Sequence, residues 1–344
     1  MPSRLFLPAA LALLALAACA PSSEPEFDEA RSAEVRQAIT YRFQALPDLA
    51  SNADNPVTAS KVALGKRLYY DADLSKDGTV SCNSCHNLAT FGVDNEPTSD
   101  GVGGARGERN SPTVLNAAFH LTQFWDGRAK NVEEQAGMPI LNPVEMAIPS
   151  EAFLVDRLAA TDGYPALFAE AFPEAEGGLT FRNIARALGA FERTLITPSR
   201  FDDFLEGDDL ALTTQELSGI ETFVEIGCVT CHDSTNVGAL TFQKFGLSGD
   251  YWEHTGSETI DEGRERVTGD EADRYVFRVA SLRNVEKTYP YFHDGSVETL
   301  EEAIQVMVRV QLGTEASDVE IANLAAFLKS LTGRVPPEAQ QTEG

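Results

Sequence analysis

Hydrophobic residues recur at helical spacing along most of the chain, and few segments alternate in the manner of strands. In 181–196 the apolar positions fall on one face of a helix: Ile184, Ala185, Leu188, Phe191 and Leu195. Comparable patterns predict helices over 58–75, 213–227, 297–310 and 317–333. The last of these begins at Ser317, with Glu320 three residues later, and closes at Gly333. The pattern therefore predicts a mainly α fold.

A break in this pattern divides the chain near residue 196. The segment 197–209, TPSRFDDFLEGDD, interrupts the helical spacing, and a new helix pattern begins after it. At 344 residues the chain has room for two domains, each with a core of its own. We place the first domain at 46–196 and the second at 197–333, with the tail 334–344 returning to the first.

The N-terminus has the pattern of an export signal, because Arg4 precedes an apolar run that ends in small residues. The last four of these residues, Leu16 to Cys19, match the lipobox of bacterial lipoproteins. This match predicts a signal peptide over 1–18, a lipid anchor on Cys19 and a flexible tether over 19–45. Cleavage after an A-x-A-like site, with loss of Cys19, is the alternative. No later apolar run reaches the roughly 20 residues of a membrane span, so we expect a periplasmic protein held to the membrane only through its lipid.

The chain is strongly acidic, with 53 Asp and Glu against 27 Lys and Arg and a net charge of −26. Such a surface repels nucleic acid and anionic headgroups, which argues against a DNA-binding role. It is also suited to attract a small basic partner, although acidic surfaces serve solubility as well.

Four of the five cysteines lie in two identical C-x-x-C-H frames. The first frame contains Cys82, Cys85 and His86, and the second contains Cys228, Cys231 and His232. Two thiols at this spacing form thioethers to haem vinyl groups, while the adjacent imidazole binds the iron. A lone C-x-x-C is also compatible with a redox dithiol or half of a zinc site, but two frames ending in His favour two covalently bound c-type haems.

The ligand on the other face of each iron decides what that iron does. Met307, on the predicted helix 297–310, is our candidate for the second haem, although a methionine there also suits a core position. The segment 87–110 after the first frame contains no His, Met, Cys, Tyr or Lys, and we predict a loop that passes over the first haem.

A set of motifs resembles the bacterial dihaem cytochrome c peroxidases in order and spacing, from about residue 59 to 333. The motifs are SCNSCHN, RNSPTVLNAAFHLTQFWDGRA, NPVEM, FERTLITP, GCVTCH, SLRNVEKTYPYFHDGSVETLEEA and AFLKSLTG. The related MauG-like oxidases share this scaffold. The resemblance implies two cytochrome c-like haem domains with long irregular loops, the first peroxidatic and the second transferring electrons.

The resemblance also assigns roles to individual residues. Trp125 matches the tryptophan between the two haems, Glu145 matches the acid/base beside the open iron face, and Gln135 matches a polar neighbour that positions peroxide. Met307 falls at the axial methionine, where MauG-like enzymes have a tyrosine, and this favours the peroxidase branch.

A calcium site between the domains is implied as well. Its ligands would be Asn110 and the backbone carbonyls of Thr288 and Pro290, an oxygen set suited to a hard cation. The family further implies hydrogen peroxide as oxidant, a small cytochrome c or a cupredoxin as electron donor, and a homodimer as one arrangement of the chain.

One position departs from the family pattern. Many relatives cap the first iron with a histidine in the loop after the first frame, and counting through Thr98 and Ser99 places Val102 there. Valine cannot bind iron, so we predict that no protein side chain lies opposite His86 at rest. His120 is the alternative ligand, whereas His254 and His293 suit structural roles.

The sequence therefore predicts a cytochrome c peroxidase that uses two haems. A MauG-like oxidase acting on a protein or organic substrate is the first alternative, and the missing cap favours it while Met307 opposes it. A dihaem electron-transfer cytochrome without substrate chemistry is the second, and a structural disulfide protein is the third.

Overall fold

The computed structural model describes residues 26–173 and 176–340, and in this part of the chain the fold is mainly α, as the sequence predicts. The helices are α1 (Glu29–Ile39), α2 (Ala59–Tyr70), α3 (Cys82–Cys85), α4 (Val132–Leu141), α5 (Glu151–Ala160), α6 (Tyr164–Ala171), α7 (Phe181–Glu192), α8 (Arg200–Glu206), α9 (Thr214–Glu225), α10 (Trp252–Thr255), α11 (Glu265–Thr268), α12 (Leu300–Leu312), α13 (Asp318–Ser330) and α14 (Pro337–Gln340). The strands β1 (Phe242–Lys244) and β2 (Val276–Arg278) pair antiparallel. None of the helices described has the length and apolar character needed to cross a membrane.

The predicted helices correspond to α2, α7, α9, α12 and α13. Helix α13 begins as expected, because Ser317 and Glu320 form a reciprocal capping box. Its end differs from the prediction: the C-cap is Leu331, and Gly333 lies beyond it. Gly333 instead packs closely on the backbone of Thr197, where a Cβ would lie 2.0 Å from the carbonyl oxygen.

Two separate hydrophobic cores form on either side of residue 196. One core runs from Leu64 to Leu195 and the other includes Phe201 to Leu331. Each core is built on a pair of helices that cross at a glycine. A Cβ on Gly65 of α2 would lie 1.9 Å from the carbonyl oxygen of Ala187 in α7, and a Cβ on Gly219 of α9 would lie 2.1 Å from that of Asn323 in α13. The glycines therefore let the two backbones of each pair touch.

The segment 19–45, predicted as a flexible tether, is helical over much of its described part. Helix α1 carries Val35 and Ile39, which are 4% and 3% exposed, and Phe43 follows at 2%. All three side chains belong to the second core, so this segment is a packed part of that domain from α1 onward. The prediction failed because α1 has few apolar positions. Its two buried apolar residues, Val35 and Ile39, form a core face only when α1 packs on α8 and α9. Cys19 and the predicted signal peptide lie outside the described residues.

The C-terminal residues lie against the first core. Ala339 is buried in that core, and its carbonyl accepts a hydrogen bond of 2.9 Å from the hydroxyl of Tyr70. The side chain of Gln340 donates to the carbonyl of Leu88, at 3.0 Å. The last residues that the structure describes therefore lie beside the first C-x-x-C-H frame.

Buried polar side chains connect the two halves of the molecule. Thr197 accepts hydrogen bonds of 2.8 Å from the amides of both Asn116 and Asn284. Arg109 pairs with Asp126 of the first half and with Asp261 of the second, each at 2.5 Å. These contacts fix the position of one half relative to the other.

Candidate functional site

The first C-x-x-C-H frame lies on the wall of a cavity in the first half. Short helix α3 carries Cys82 and Cys85, and His86 follows directly as its C-cap. The hydroxyl of Tyr69 donates to the carbonyl of His86, and the amide of Leu88 is held by Asn83 at 3.1 Å. Cys82, Cys85 and His86 all line the cavity, so the frame presents its two sulfur atoms and its imidazole to one space.

Gln135 and Glu145 line the same cavity. Gln135 lies on α4, and the turn that follows this helix carries Glu145 back over it. The amide of Met146 donates to the carbonyl of Pro139 at 3.2 Å, and that of Ile148 donates to the carbonyl of Ile140 at 2.9 Å. The tertiary fold thus places two polar side chains from NPVEM and the preceding helix beside the first frame.

The carboxyl group of Glu145 is largely withdrawn from water. Burial raises its pKa, while a 2.6 Å hydrogen bond from the side chain of Asn142 and the nearby charge of Arg128 act in the opposite direction. A carboxyl with a raised pKa exchanges protons closer to neutral pH than an ordinary glutamate, which suits a general acid/base.

The loop at 101–105 packs directly on the Glu145 turn. The amide of Val102 donates to the carbonyl of Glu145 at 2.8 Å, and the carbonyl of Ala105 accepts from the amide of Gly101 at 2.7 Å. Gly101 lines the cavity, whereas the side chain of Val102 packs against the first core. The position that the sequence analysis compares with the capping histidine of relatives therefore holds an apolar side chain that is partly buried against the core.

The second frame lines a cavity in the second half. Cys228 begins a short 3₁₀ turn directly after α9, and Cys231 and His232 follow it. Met307, on α12, lies on the wall of the same cavity. The structure therefore brings together the imidazole and the thioether that the sequence analysis assigned to one iron.

Trp125 and His120 line both cavities. The indole N–H of Trp125 donates to the carbonyl of Asn110 at 2.9 Å, which fixes the orientation of its ring. His120 shares this junction, while His293 lines only the second cavity and contacts the ring of Trp125 edge-on, at 6.5 Å between centroids. Trp125 therefore lies where the two cavities meet.

The two cavities fit the haems that the frames imply. The first cavity has a volume of about 560 Å³ and the second about 250 Å³, and each is lined by both cysteines and the histidine of one frame. All four cysteines of the frames are free thiols. Burial lowers the pKa of His86, and it lowers the pKa of His232 to about 4. Both imidazoles are therefore neutral at pH 7, which is the form that binds a metal.

The three residues assigned to calcium lie along the wall of the second cavity. Within the described ranges, the side-chain oxygen of Asn110 and the carbonyls of Thr288 and Pro290 accept no hydrogen bond. The adjacent carbonyls of Lys287 and Tyr289 instead accept hydrogen bonds from the side chain of Asn95, at 3.1 and 2.8 Å. These three oxygens are the donor type that calcium prefers.

Two charged residues of the first cavity were missed by the sequence analysis. Arg128, within the motif FWDGRA, pairs with Asp126 at 2.9 Å and lies near Glu145. Glu192, at the end of α7, is 5% exposed, and burial raises its pKa to about 8, helped by the charge of Glu133 and opposed by Arg193. The motif could have indicated Arg128, but an interior glutamate on an amphipathic helix gives no local signal.

Comparison with known proteins agrees with this architecture. Residues 59–210 match the family model for di-haem cytochrome c peroxidase. A cytochrome c551 peroxidase of Nitrosomonas europaea is 46% identical over 286 residues, 83% of either chain. The cytochrome c peroxidase Ccp of Escherichia coli is 44% identical over 290 residues, 84% of this chain and 61% of that one.

MauG-like proteins are more distant in sequence but share the fold. The methylamine utilization protein MauG of Methylorubrum extorquens is 33% identical over 306 residues, which cover 86% of this chain and 84% of that one. The crystal structure of a MauG-like protein associated with microbial copper homeostasis superimposes with a TM-score of 0.74, at 32% identity, over 86% of this chain and 96% of that one. These relatives confirm the family expected from the motifs, and with it the two c-type haems. The chain belongs to the di-haem cytochrome c peroxidase family.

Proposed function

We propose that this protein reduces hydrogen peroxide to water with electrons from a small redox protein. The observation that carries the proposal is the pair of cavities that meet at Trp125. One contains His86 with Gln135 and Glu145, and the other contains His232 with Met307. The first has a polar wall suited to substrate chemistry, and the second has two iron ligands suited to electron transfer.

The haem held by Cys82, Cys85 and His86 would supply the iron that binds peroxide and accepts electrons. Glu145 would move a proton from one oxygen of the peroxide to the other, which prepares the protonated oxygen to leave as water once the haem iron supplies the electrons for O–O cleavage. Gln135 orients the peroxide by hydrogen bonding. Two electrons and two protons complete the conversion of one peroxide to two waters. General acid/base help of this kind is typically worth roughly 10²–10⁴ in rate.

The electrons enter through the second cavity and pass Trp125. His/Met ligation by His232 and Met307 raises the reduction potential of a haem, which suits an acceptor of electrons. A small cytochrome c or a cupredoxin is the donor we propose, and the net charge of −26 favours a donor with a basic face. This assigns the peroxidatic haem to 46–196 and the electron-transferring haem to 197–333.

The first haem is open at rest in this proposal. Val102 packs against the first core and is not among the residues that line the cavity, and the loop 87–110 contains no side chain that binds iron strongly. The absorption and EPR spectra of the fully oxidised protein should show one high-spin and one low-spin haem. Two low-spin haems would contradict an open first haem and would make His120 the ligand to test.

Calcium, location and assembly complete the proposal. Asn110, Thr288 and Pro290 would hold one Ca²⁺ at the second cavity, where the side-chain oxygen of Asn110 and the two carbonyls accept no hydrogen bond from any described residue. The export-signal pattern of the N-terminus supports a periplasmic protein held by a lipid on Cys19, and the family resemblance supports a homodimer. Metal analysis, mass spectrometry of the N-terminus and light scattering test these three points separately.

The decisive experiment replaces Glu145 with Gln. Peroxide turnover with a reduced cytochrome should fall by roughly 10²–10⁴ while both haems load normally. Glu151→Gln, at an exposed position on the next helix, is the matched control and should leave turnover unchanged. Wild-type turnover in the Glu145 variant would remove that carboxyl from the mechanism. Slow peroxide turnover by the unmodified protein, combined with oxidation of an organic substrate, would favour a MauG-like oxidase instead.

A further inference from the structure

Arg278 is a buried cation that no carboxylate of the described residues neutralises. Its residue is 3% exposed, and within this part of the chain its guanidinium donates only to the backbone carbonyls of Phe124 and Val279, at 3.3 and 3.2 Å. Burial lowers its pKa to about 10, so the side chain still carries its charge at neutral pH. An isolated buried charge costs several kcal/mol unless a counter-ion accompanies it.

Other arginines buried in the described part of the chain have acidic partners. Arg193 pairs with Glu133 at 2.8 Å, and Arg283 pairs with Asp202 at 2.5 Å. Arg109 has two partners, described above. Among the described residues, the lack of an acidic partner therefore sets Arg278 apart, and it indicates that a bound group supplies the counter-ion.

The position of Arg278 identifies where that counter-ion lies. Arg278 ends β2, where its backbone amide donates to the carbonyl of Trp125 at 2.7 Å. The segment 277–282 lines the second cavity, and Arg278 is its one member that also lines the first. Arg278 is thus at the junction of the two cavities, next to the backbone of Trp125.

The other groups at this junction supply no negative charge. His120 is kept neutral, because burial and the charge of Arg278 lower its pKa well below the usual range. Asp126, nearby in sequence to Trp125, is already paired with Arg109 and Arg128. The anion must therefore be brought by what fills the cavities.

We propose that Arg278 binds a haem propionate at the junction of the two cavities. The proposal rests on the two haems that family membership implies and not on peroxide turnover. A haem carries two carboxylates, and a guanidinium matches a carboxylate with two parallel N–H···O bonds. The arrangement keeps one propionate ionised next to Trp125 and makes Arg278 a positioning residue that ties the cofactor to the electron path. Either haem is a source of the carboxylate.

Redox titration of the haem-loaded protein tests this assignment. Arg278→Gln removes the cation, so the reduction potential of the haem that supplies the carboxylate should fall, because reduction adds negative charge. Arg278→Lys keeps the positive charge but loses the two parallel N–H donors of the guanidinium. The reduction potential should therefore shift less than in Arg278→Gln, while the propionate bending bands in the resonance Raman spectrum move. Arg266→Gln is the control: this exposed arginine lines the first cavity but is paired with Glu108 at 2.8 Å.

The outcomes distinguish which haem supplies the propionate, and whether Arg278 binds a propionate at all. A potential shift confined to the haem of His86, or to that of His232, supports the proposal and identifies the donor of the carboxylate. If Arg278→Gln fails to load haem, the Raman bands of Arg278→Lys decide. Unchanged Raman bands in Arg278→Lys, or unchanged potentials in a loaded Arg278→Gln, overturn the proposal. Neither measurement uses peroxide, so the result is independent of the proposed activity.

Discussion

Replacing Gly101 with alanine tests whether the loop over the first cavity holds Glu145 in place. The backbone of Gly101, with φ −97°, is accessible to alanine, so the substitution introduces no intrinsic strain. The obstacle is contact: a Cβ there would lie 2.1 Å from the carbonyl oxygen of Val144 and 2.7 Å from that of Glu145. The loop and the Glu145 turn must therefore separate.

The structure sets the size of the effect. Relieving the closest contact requires a displacement of about 1 Å, and overpacking of this kind typically costs roughly 1–3 kcal/mol of stability. The separation also weakens the hydrogen bond from the amide of Val102 to the carbonyl of Glu145, worth about 0.5–1.5 kcal/mol. Because a misplacement of about 1 Å can cost 10²-fold in rate, kcat/KM for peroxide should fall by roughly one to two orders of magnitude.

Gly103→Ala provides a matched control, because alanine there is strained in its backbone but meets no neighbouring atom. Gly103 has a φ of +68°, so alanine is strained by roughly 1–2 kcal/mol there, but nothing lies within 4 Å of the new Cβ. Thermal unfolding, haem content and steady-state peroxide kinetics would be measured for both variants. Both should unfold at a lower temperature, but only Gly101→Ala should lose kcat/KM. Equal kinetics in the two variants would refute the link between this loop and Glu145.

Three further predictions concern the cores and the second haem. Ile39→Ala should destabilise the second domain by about 2–5 kcal/mol in urea unfolding, whereas Gln37→Ala on the exposed face of α1 should have little effect; equal effects would show that α1 is not part of that core. Glu192 has its pKa raised to about 8, so the folded state binds its proton more tightly than the unfolded state. Stability should therefore fall by a few kcal/mol as pH rises from about 4.3 to about 8, and Glu192→Gln should lose this dependence in unfolding curves at several pH values. Met307→Leu should lower the reduction potential of the second haem and make its oxidised spectrum high-spin; an unchanged spectrum would exclude Met307 as a ligand.

Local patterns were sufficient for much of the fold and of the site. The frames at Cys82 and Cys228 specify haem attachment because thioether chemistry needs two thiols and an imidazole at fixed spacing along one short stretch. The five predicted helices appear because a helix face is a local periodicity. The motifs that carry Trp125 and Glu145 are also short stretches of sequence. These two residues and the cysteines of the frames lie on the walls of the two cavities.

Burial and partnership were decided only by the tertiary structure. Helix α1 was missed because its few apolar residues become a core face only against α8 and α9, and Gly333 was misread because its contact with Thr197 joins distant segments. Glu192 and Arg278 look like ordinary charged residues in the sequence, since desolvation and the lack of a partner depend on the whole surrounding fold. The chain by itself determined which groups attach the cofactors, because that chemistry is short-range. The packing of two cores determined which groups share a cavity, because distances between remote segments are fixed only when those cores form.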